Sequence, residues 1–153
     1  MRAHQIFVAL LGLIALLIVG IDTTSQASAQ AVAIKGYDTV AYFTESKAAK
    51  GDPKYAYTWD GSTYYFSSAN HLDLFKAAPD KYAPVYRGFC TAALSRGLRV
   101  VADPENWLIY DGKLHIFGKP IGPGLMKNDL EAMKHKADTN FPKVSELPEP
   151  KAQ

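Results

Sequence analysis

The chain has 153 residues, and its 17 basic and 15 acidic side chains give a formal net charge of +2. The charges are scattered, which argues against a nucleic-acid-binding surface because such a surface needs a basic patch or stripe. Cys90 is the only cysteine, so one chain can form neither an internal disulfide nor a zinc site of four thiolates.

Residues 1–29 have the three parts of a secretory signal peptide. Arg2 supplies the positive start, an apolar run follows at 6–21, and Ala27-Ser28-Ala29 is a small-residue cleavage pattern. The run is shorter than the about 18–20 residues that a spanning helix needs, so cleavage is favoured over an uncleaved anchor. The sequence predicts a periplasmic or secreted protein that contacts a membrane only through an uncleaved signal.

The rest of the chain is long enough for one domain with a modest core and too short for two. We place this domain at 33–142. The segment 143–153 is rich in Lys, Glu and Pro and is predicted to be a disordered tail.

The first half of the domain contains a hairpin followed by a helix. The segment 37–43 is predicted to be an apolar strand or a single turn. Asp60-Gly61 is typical of a two-residue turn with φ > 0, so strands are predicted at 55–59 and 63–67. Ser67 or Ser68 can cap the helix that follows, and Pro79 ends it.

The second half is predicted to begin irregularly at 82–89 and to continue with a short helix at 90–96, ended by Gly97, and an extended segment at 99–102. Asp111-Gly112 then forms a second hairpin turn between strands 107–110 and 113–117. The Pro- and Gly-rich segment 118–124 is predicted to be an irregular loop, and 125–137 a single amphipathic helix.

The two hairpins share a sequence pattern around their Asp-Gly turns. Two copies are too few for a repeat architecture, so similar turn physics is favoured over internal duplication. These elements predict an α+β fold in which two short antiparallel hairpins pack with two or three helices.

Three segments resemble the YHS domain family, in particular its exported, cysteine-poor branch. They are K-G-Y-D-T-V-A-Y-F at 35–43, W-D-G-S-T-Y-Y-F-S-S-A-N-H-L-D-L-F-K at 59–76 and Y-A-P-V-Y-R-G-F-C at 82–90. The resemblance implies a metal-binding module where the family keeps its cysteines. Here Ser67 follows Phe66 at the first such position, and His71 lies near the second.

Cys90 allows three interpretations. Its apolar neighbours favour a buried small hydrophobe. Its place at the start of a predicted helix would favour a thiolate that lines a pocket or binds a ligand. A catalytic nucleophile would need His71 or His115 as a nearby base.

A metal site is predicted from His71, Cys90 and His115. Imidazole and thiolate suit copper or zinc, although the spacing of these residues matches no compact metal-binding motif. His135 is predicted to lie on the exposed face of the last helix.

Most tyrosines lie between residues 37 and 86, where an aromatic core is favoured over an aromatic pocket. Tyr37 and Asp38 are the polar groups expected at the edge of such a pocket, and Asp38 can alternatively cap the segment from Thr39 onward.

The sequence therefore predicts a binding module that holds a metal ion or small ligand between the first hairpin, its helix and Cys90. The alternatives are a thiol- or metal-dependent enzyme using Cys90 with a histidine, and a module that binds a protein partner without a ligand. The usual phosphate-loop, nucleophile-elbow and haem motifs are missing from the sequence, which favours binding over catalysis.

Overall fold

The computed structural model describes residues 31–145 and confirms the α+β class. The strands are β1 Ala31–Val32, β2 Asp52–Trp59, β3 Ser62–Phe66, β4 Asp103–Tyr110 and β5 Lys113–Phe117. The helices are α1 Ala41–Thr44, α2 Ala69–Ala77, α3 Pro79–Tyr82, α4 Thr91–Leu94, α5 Gly122–Asn128 and α6 Leu130–Val144. One sheet has the order β1-β3-β2, with β1 parallel to β3, and β4 and β5 form an antiparallel pair.

Both Asp-Gly turns are confirmed. The φ angles are 43° at Asp60 and 72° at Gly61, and 49° at Asp111 and 65° at Gly112. Two successive positive φ angles define the type I′ turn, whose twist matches that of the flanking strands. Local backbone preference is therefore sufficient to locate both hairpins.

The helix after the first hairpin is also confirmed. The side chain of Ser68 accepts a hydrogen bond from the backbone N–H of His71 at 3.2 Å, which caps the N-terminus of α2. The helix ends at Ala77, and Pro79 begins α3, where its missing N–H costs nothing.

Two predictions in the last third of the domain are wrong. The predicted loop 118–124 contains the start of α5 at Gly122, with Pro123 in its first turn. The predicted single helix 125–137 is divided between α5 and α6, because Asp129 has φ −156° and ψ 66°. This break allows Met126 and Ala137, both fully buried, to enter different core clusters.

The final helix extends further than the predicted domain. It passes Pro142 and reaches Val144, which is buried. The predicted signal peptide at 1–29 and the end of the predicted tail at 146–153 lie outside the described residues. Within the described part of the chain, no helix has the length and apolar composition needed to cross a membrane.

The aromatic residues of the first half form a core, as predicted. Tyr64, Phe66 and Phe75 are buried, and the Phe75 ring centroid lies 4.7 Å from that of Tyr64 and 5.0 Å from that of Phe66. Such tilted aromatic contacts add to the stabilisation from burial alone.

The two halves of the domain repeat one structural unit. Each begins with a left-handed turn, Ala33–Gly36 or Val85–Gly88, and continues with a four-residue helix and a hairpin whose first strand is bulged. A further helix follows each hairpin. The structure therefore favours internal duplication, which was the less favoured interpretation of the sequence.

Backbone contacts show which residues of the two halves occupy equivalent positions. The N–H of Asp38 donates to the carbonyl of Ala49 at 2.8 Å, and the N–H of Cys90 donates to that of Val100 at 2.9 Å. The preceding residues, Tyr37 and Phe89, form matching antiparallel bridges to Lys50 and Val101. Cys90 therefore occupies in the second half the place of Asp38 in the first.

Candidate functional site

Asp38 is the centre of a buried polar network and has no solvent exposure. Its Oδ1 accepts hydrogen bonds from the backbone N–H groups of Val40 at 2.9 Å and Ala41 at 3.4 Å. Its Oδ2 accepts from the N–H of Ser67 at 2.8 Å, the hydroxyl of Ser67 at 2.7 Å and Nδ1 of His71 at 2.6 Å. The network joins α1, the end of β3 and α2, so Asp38 has the capping role that the sequence offered as an alternative.

His71 is buried by this network. Asp38 binds Nδ1, and the other ring nitrogen, Nε2, points toward the end of α1. It lies 3.3 Å from Oγ1 of Thr44 and 3.5 Å from Oε1 of Glu45. A carboxylate that holds one imidazole nitrogen and orients the other is the arrangement seen behind many metal-binding histidines.

His115 lies in a separate environment with no solvent exposure. Its Nδ1 is 3.3 Å from the hydroxyl of Thr91, and its buried Nε2 has no hydrogen-bond partner. Burial, helped by the nearby positive charge of Lys134 and opposed by Asp138, lowers the pKa of His115 from 6.5 to about 4. The imidazole is therefore neutral at physiological pH.

Cys90 is 7% exposed and lines an apolar groove of about 220 Å³ in the second half of the domain. The groove runs between α4, the segment 96–100 and the junction of β5 with α5. Gly118 corresponds to Ser67 of the first half, and a Cβ built there would lie 3.8 Å from the Cys90 sulfur. Where the first half has the carboxylate of Asp38 and the hydroxyl of Ser67, the second half has the thiol of Cys90 and no side chain at Gly118. The surface at this place is therefore apolar.

The predicted metal ligands are not held together by one set of contacts. His71 binds Asp38, His115 contacts Thr91, and Cys90 lines the groove. Between residues 31 and 145, no group of three or more His, Cys, Asp and Glu side chains is arranged to hold a metal ion.

Tyr37 is at the surface between the two halves. Its hydroxyl donates to Oε1 of Glu105 at 2.8 Å, and this hydrogen bond raises the pKa of the Tyr37 phenol. The ammonium of Lys50 lies 3.9 Å from the centre of the Tyr37 ring. The exposed position of His135 agrees with the prediction.

The sequence interpretation missed the aliphatic residues around the groove. Leu98, Val100 and Ile121 are 57%, 41% and 66% exposed. Leu98 and Val100 follow Gly97, and Ile121 lies in a segment rich in Gly and Pro, so none of the three belongs to a periodic apolar pattern. Their convergence on Cys90 depends on the tertiary structure.

The chain matches no protein-family model, no curated protein and no solved structure. The YHS resemblance consequently stays a prediction from the three sequence segments.

Proposed function

We propose that this protein is an exported binding module and that the groove beside Cys90 holds a small amphiphile with a hydrocarbon chain and an anionic group. The observation that carries this proposal is the apolar groove itself, with Cys90 and Phe117 in its lining and Leu98, Val100 and Ile121 exposed around it. The ligand class corresponds to the small-ligand form of the binding role predicted from the sequence, but the groove lies in the second half and not beside the first hairpin and its helix, where the sequence placed the site.

The exposed aliphatic side chains favour a hydrocarbon occupant. Covering apolar surface contributes about 25 cal/mol per Å² of area removed from water. The volume of about 220 Å³ is below the range of roughly 300–1,000 Å³ for sites of drug-sized ligands. A short chain therefore fits better than a large ring system.

The charged residues favour an anionic end. Arg96 and Lys119 line the groove, and its described lining contains no acidic side chain. The aliphatic stems of Arg and Lys can pack on a hydrocarbon chain while their charged ends meet a carboxylate at the surface.

Octanoate titration followed by amide chemical shifts tests this proposal. We expect shifts at Cys90, Val100 and Gly118, and at least about tenfold weaker binding in Gly118→Leu, because a side chain at this position extends into the groove. Gly124→Leu is the matched control, since a Cβ there meets no atom within 4 Å. Unchanged affinity in Gly118→Leu, or no binding at millimolar octanoate, would contradict the proposal.

A weak copper or zinc site at His71 is the second candidate, supported by the orientation of Nε2 toward Glu45. We expect Glu45→Gln to reduce binding of Cu²⁺ or Zn²⁺, whereas Asp73→Asn on the exposed side of α2 leaves it unchanged. Isothermal titration of the metal-free protein measures the affinity of both variants, and Cys90→Ala tests whether the predicted thiolate is a ligand.

Chelation of the metal should leave the protein folded, because an open site formed by two groups does not act as a structural metal site. Equal metal affinity in Glu45→Gln and wild type would count against this site.

The enzymatic alternative needs a base beside the Cys90 sulfur. The ring nitrogens of His71 contact Asp38, Thr44 and Glu45, and Nδ1 of His115 lies beside the hydroxyl of Thr91. These contacts favour a binding role. A protein partner without a ligand becomes the better interpretation if octanoate and both metals fail to bind.

A further inference from the structure

We propose a second ligand site, for a small organic anion, in a cavity where the two halves of the domain meet. The cavity has a volume of about 430 Å³ and lies between the turns Ala33–Gly36 and Val85–Gly88 and the tip of the first hairpin. It shares no lining residue with the groove beside Cys90. Its volume falls within the range of about 300–1,000 Å³ that is typical of small-molecule sites.

Unfavourable backbone geometry is concentrated around this cavity. In the described chain, seven non-glycine residues have positive φ. Three of them line the cavity outside any hairpin turn, Ile34 at 35°, Lys35 at 54° and Arg87 at 55°, and a fourth, Asp60 at 43°, belongs to the type I′ turn, where positive φ is favoured. A β-branched residue such as Ile34 is a genuine outlier in this region. Strained backbone of this kind clusters at ligand-binding sites, where the surrounding packing maintains it.

The two left-handed turns hold each other in place. A Cβ built on Gly88 would lie 2.6 Å from Cγ2 of Ile34, so the turns are in direct contact. The φ of Gly88 is +79°, which also favours glycine. The site is therefore preformed by the packing of one half against the other.

The lining charge favours an anion. Lys35 and Arg87 contribute positive charges that exceed the negative charge of Asp60, the acidic residue in the described lining. Nε of Arg87 lies 3.3 Å from Oδ2 of Asp60, and both side chains are exposed. Arginine binds carboxylate and phosphate oxygens through paired N–H groups.

The other lining residues of the cavity favour an anion that also carries an apolar group. Val32, Ile34, Phe89 and Val101 line the cavity, and Val32 and Val101 are 42% and 48% exposed. The ligand class is therefore a phosphate or carboxylate attached to a small hydrocarbon or aromatic group.

Phenyl phosphate is the probe for this site, with binding followed by amide chemical shifts. We expect shifts at Ile34, Lys35 and Gly88, and binding weakened about threefold to tenfold in Lys35→Gln and in Arg87→Gln. Lys127→Gln removes the same charge from the exposed face of α5 and should leave the affinity unchanged. Both cavity variants replace exposed side chains, and their melting temperatures confirm that they fold.

Three results would overturn the proposal. They are equal affinity for inorganic phosphate and phenyl phosphate, equal weakening by Lys127→Gln, and no shifts at millimolar phenyl phosphate. The groove-filling variant Gly118→Leu should bind phenyl phosphate as wild type does. Loss of octanoate binding and loss of phenyl phosphate binding therefore report on different sites.

Discussion

Replacing Asp38 with alanine is expected to lower the free energy of unfolding by about 3–5 kcal/mol, the range measured when one partner of a buried polar or ionic pair is removed. The carboxylate accepts five hydrogen bonds and has no contact with solvent. Its loss removes the acceptor of the N–H groups of Val40 and Ser67 and leaves Nδ1 of His71 with only Oγ of Ser67, at 3.2 Å. Urea denaturation monitored by tryptophan fluorescence measures the change.

Two further variants distinguish the loss of the hydrogen-bond network from a general effect of removing a carboxylate on stability. Asp38→Asn keeps the shape and one carbonyl oxygen, so we expect a smaller loss than in Asp38→Ala. Asp73→Asn removes an exposed carboxylate from α2 and should change stability by less than about 0.5 kcal/mol. Similar stability of Asp38→Ala and wild type would show that the network contributes little.

The second large effect is a loss of stability in mild acid that depends on His115. Its pKa is about 4 in the folded protein, lowered by burial from the ordinary value of 6.5. Between these values the unfolded chain binds more protons than the folded one, so the free energy of unfolding falls as the pH falls from about 6.5 to 4. The shift corresponds to about 3 kcal/mol over the whole window.

His115→Gln is expected to remove this component of the pH dependence. Urea denaturation at several pH values between 4 and 7 gives the slope, which for one proton has an upper limit of about 1.4 kcal/mol per pH unit. His135→Gln is the control, because His135 is exposed on α6. If wild type and His115→Gln lose stability with the same slope, His115 is not the group that titrates.

Short-range features of this fold could be predicted from the sequence. The turns at Asp60-Gly61 and Asp111-Gly112 and the cap of α2 depend on the backbone preferences of a few adjacent residues. The break between α5 and α6 at Asp129 could not be predicted from adjacent residues. The apolar pattern continues across it, and the change of direction follows from the burial of Met126 and Ala137 in separate clusters.

The candidate sites depend on contacts between distant parts of the chain. Asp38 meets Ser67 and His71, which are 29 and 33 residues away in sequence. Cys90 likewise lies beside Gly118, a residue from a distant part of the sequence. Residue type indicated which side chains could be functional, and only the fold showed that His71 and Cys90 occupy different environments.

By itself, the sequence determined the α+β class, the hairpins and the residues with chemical potential, because local dihedral preferences and apolar patterning act over a few residues. The tertiary structure alone decided that Asp38 is fully bonded, that the Cys90 groove is apolar and that two left-handed turns enclose a cationic cavity. The network and the groove each form within one half and the cavity forms between the two halves, but all three depend on contacts between residues that are distant in sequence.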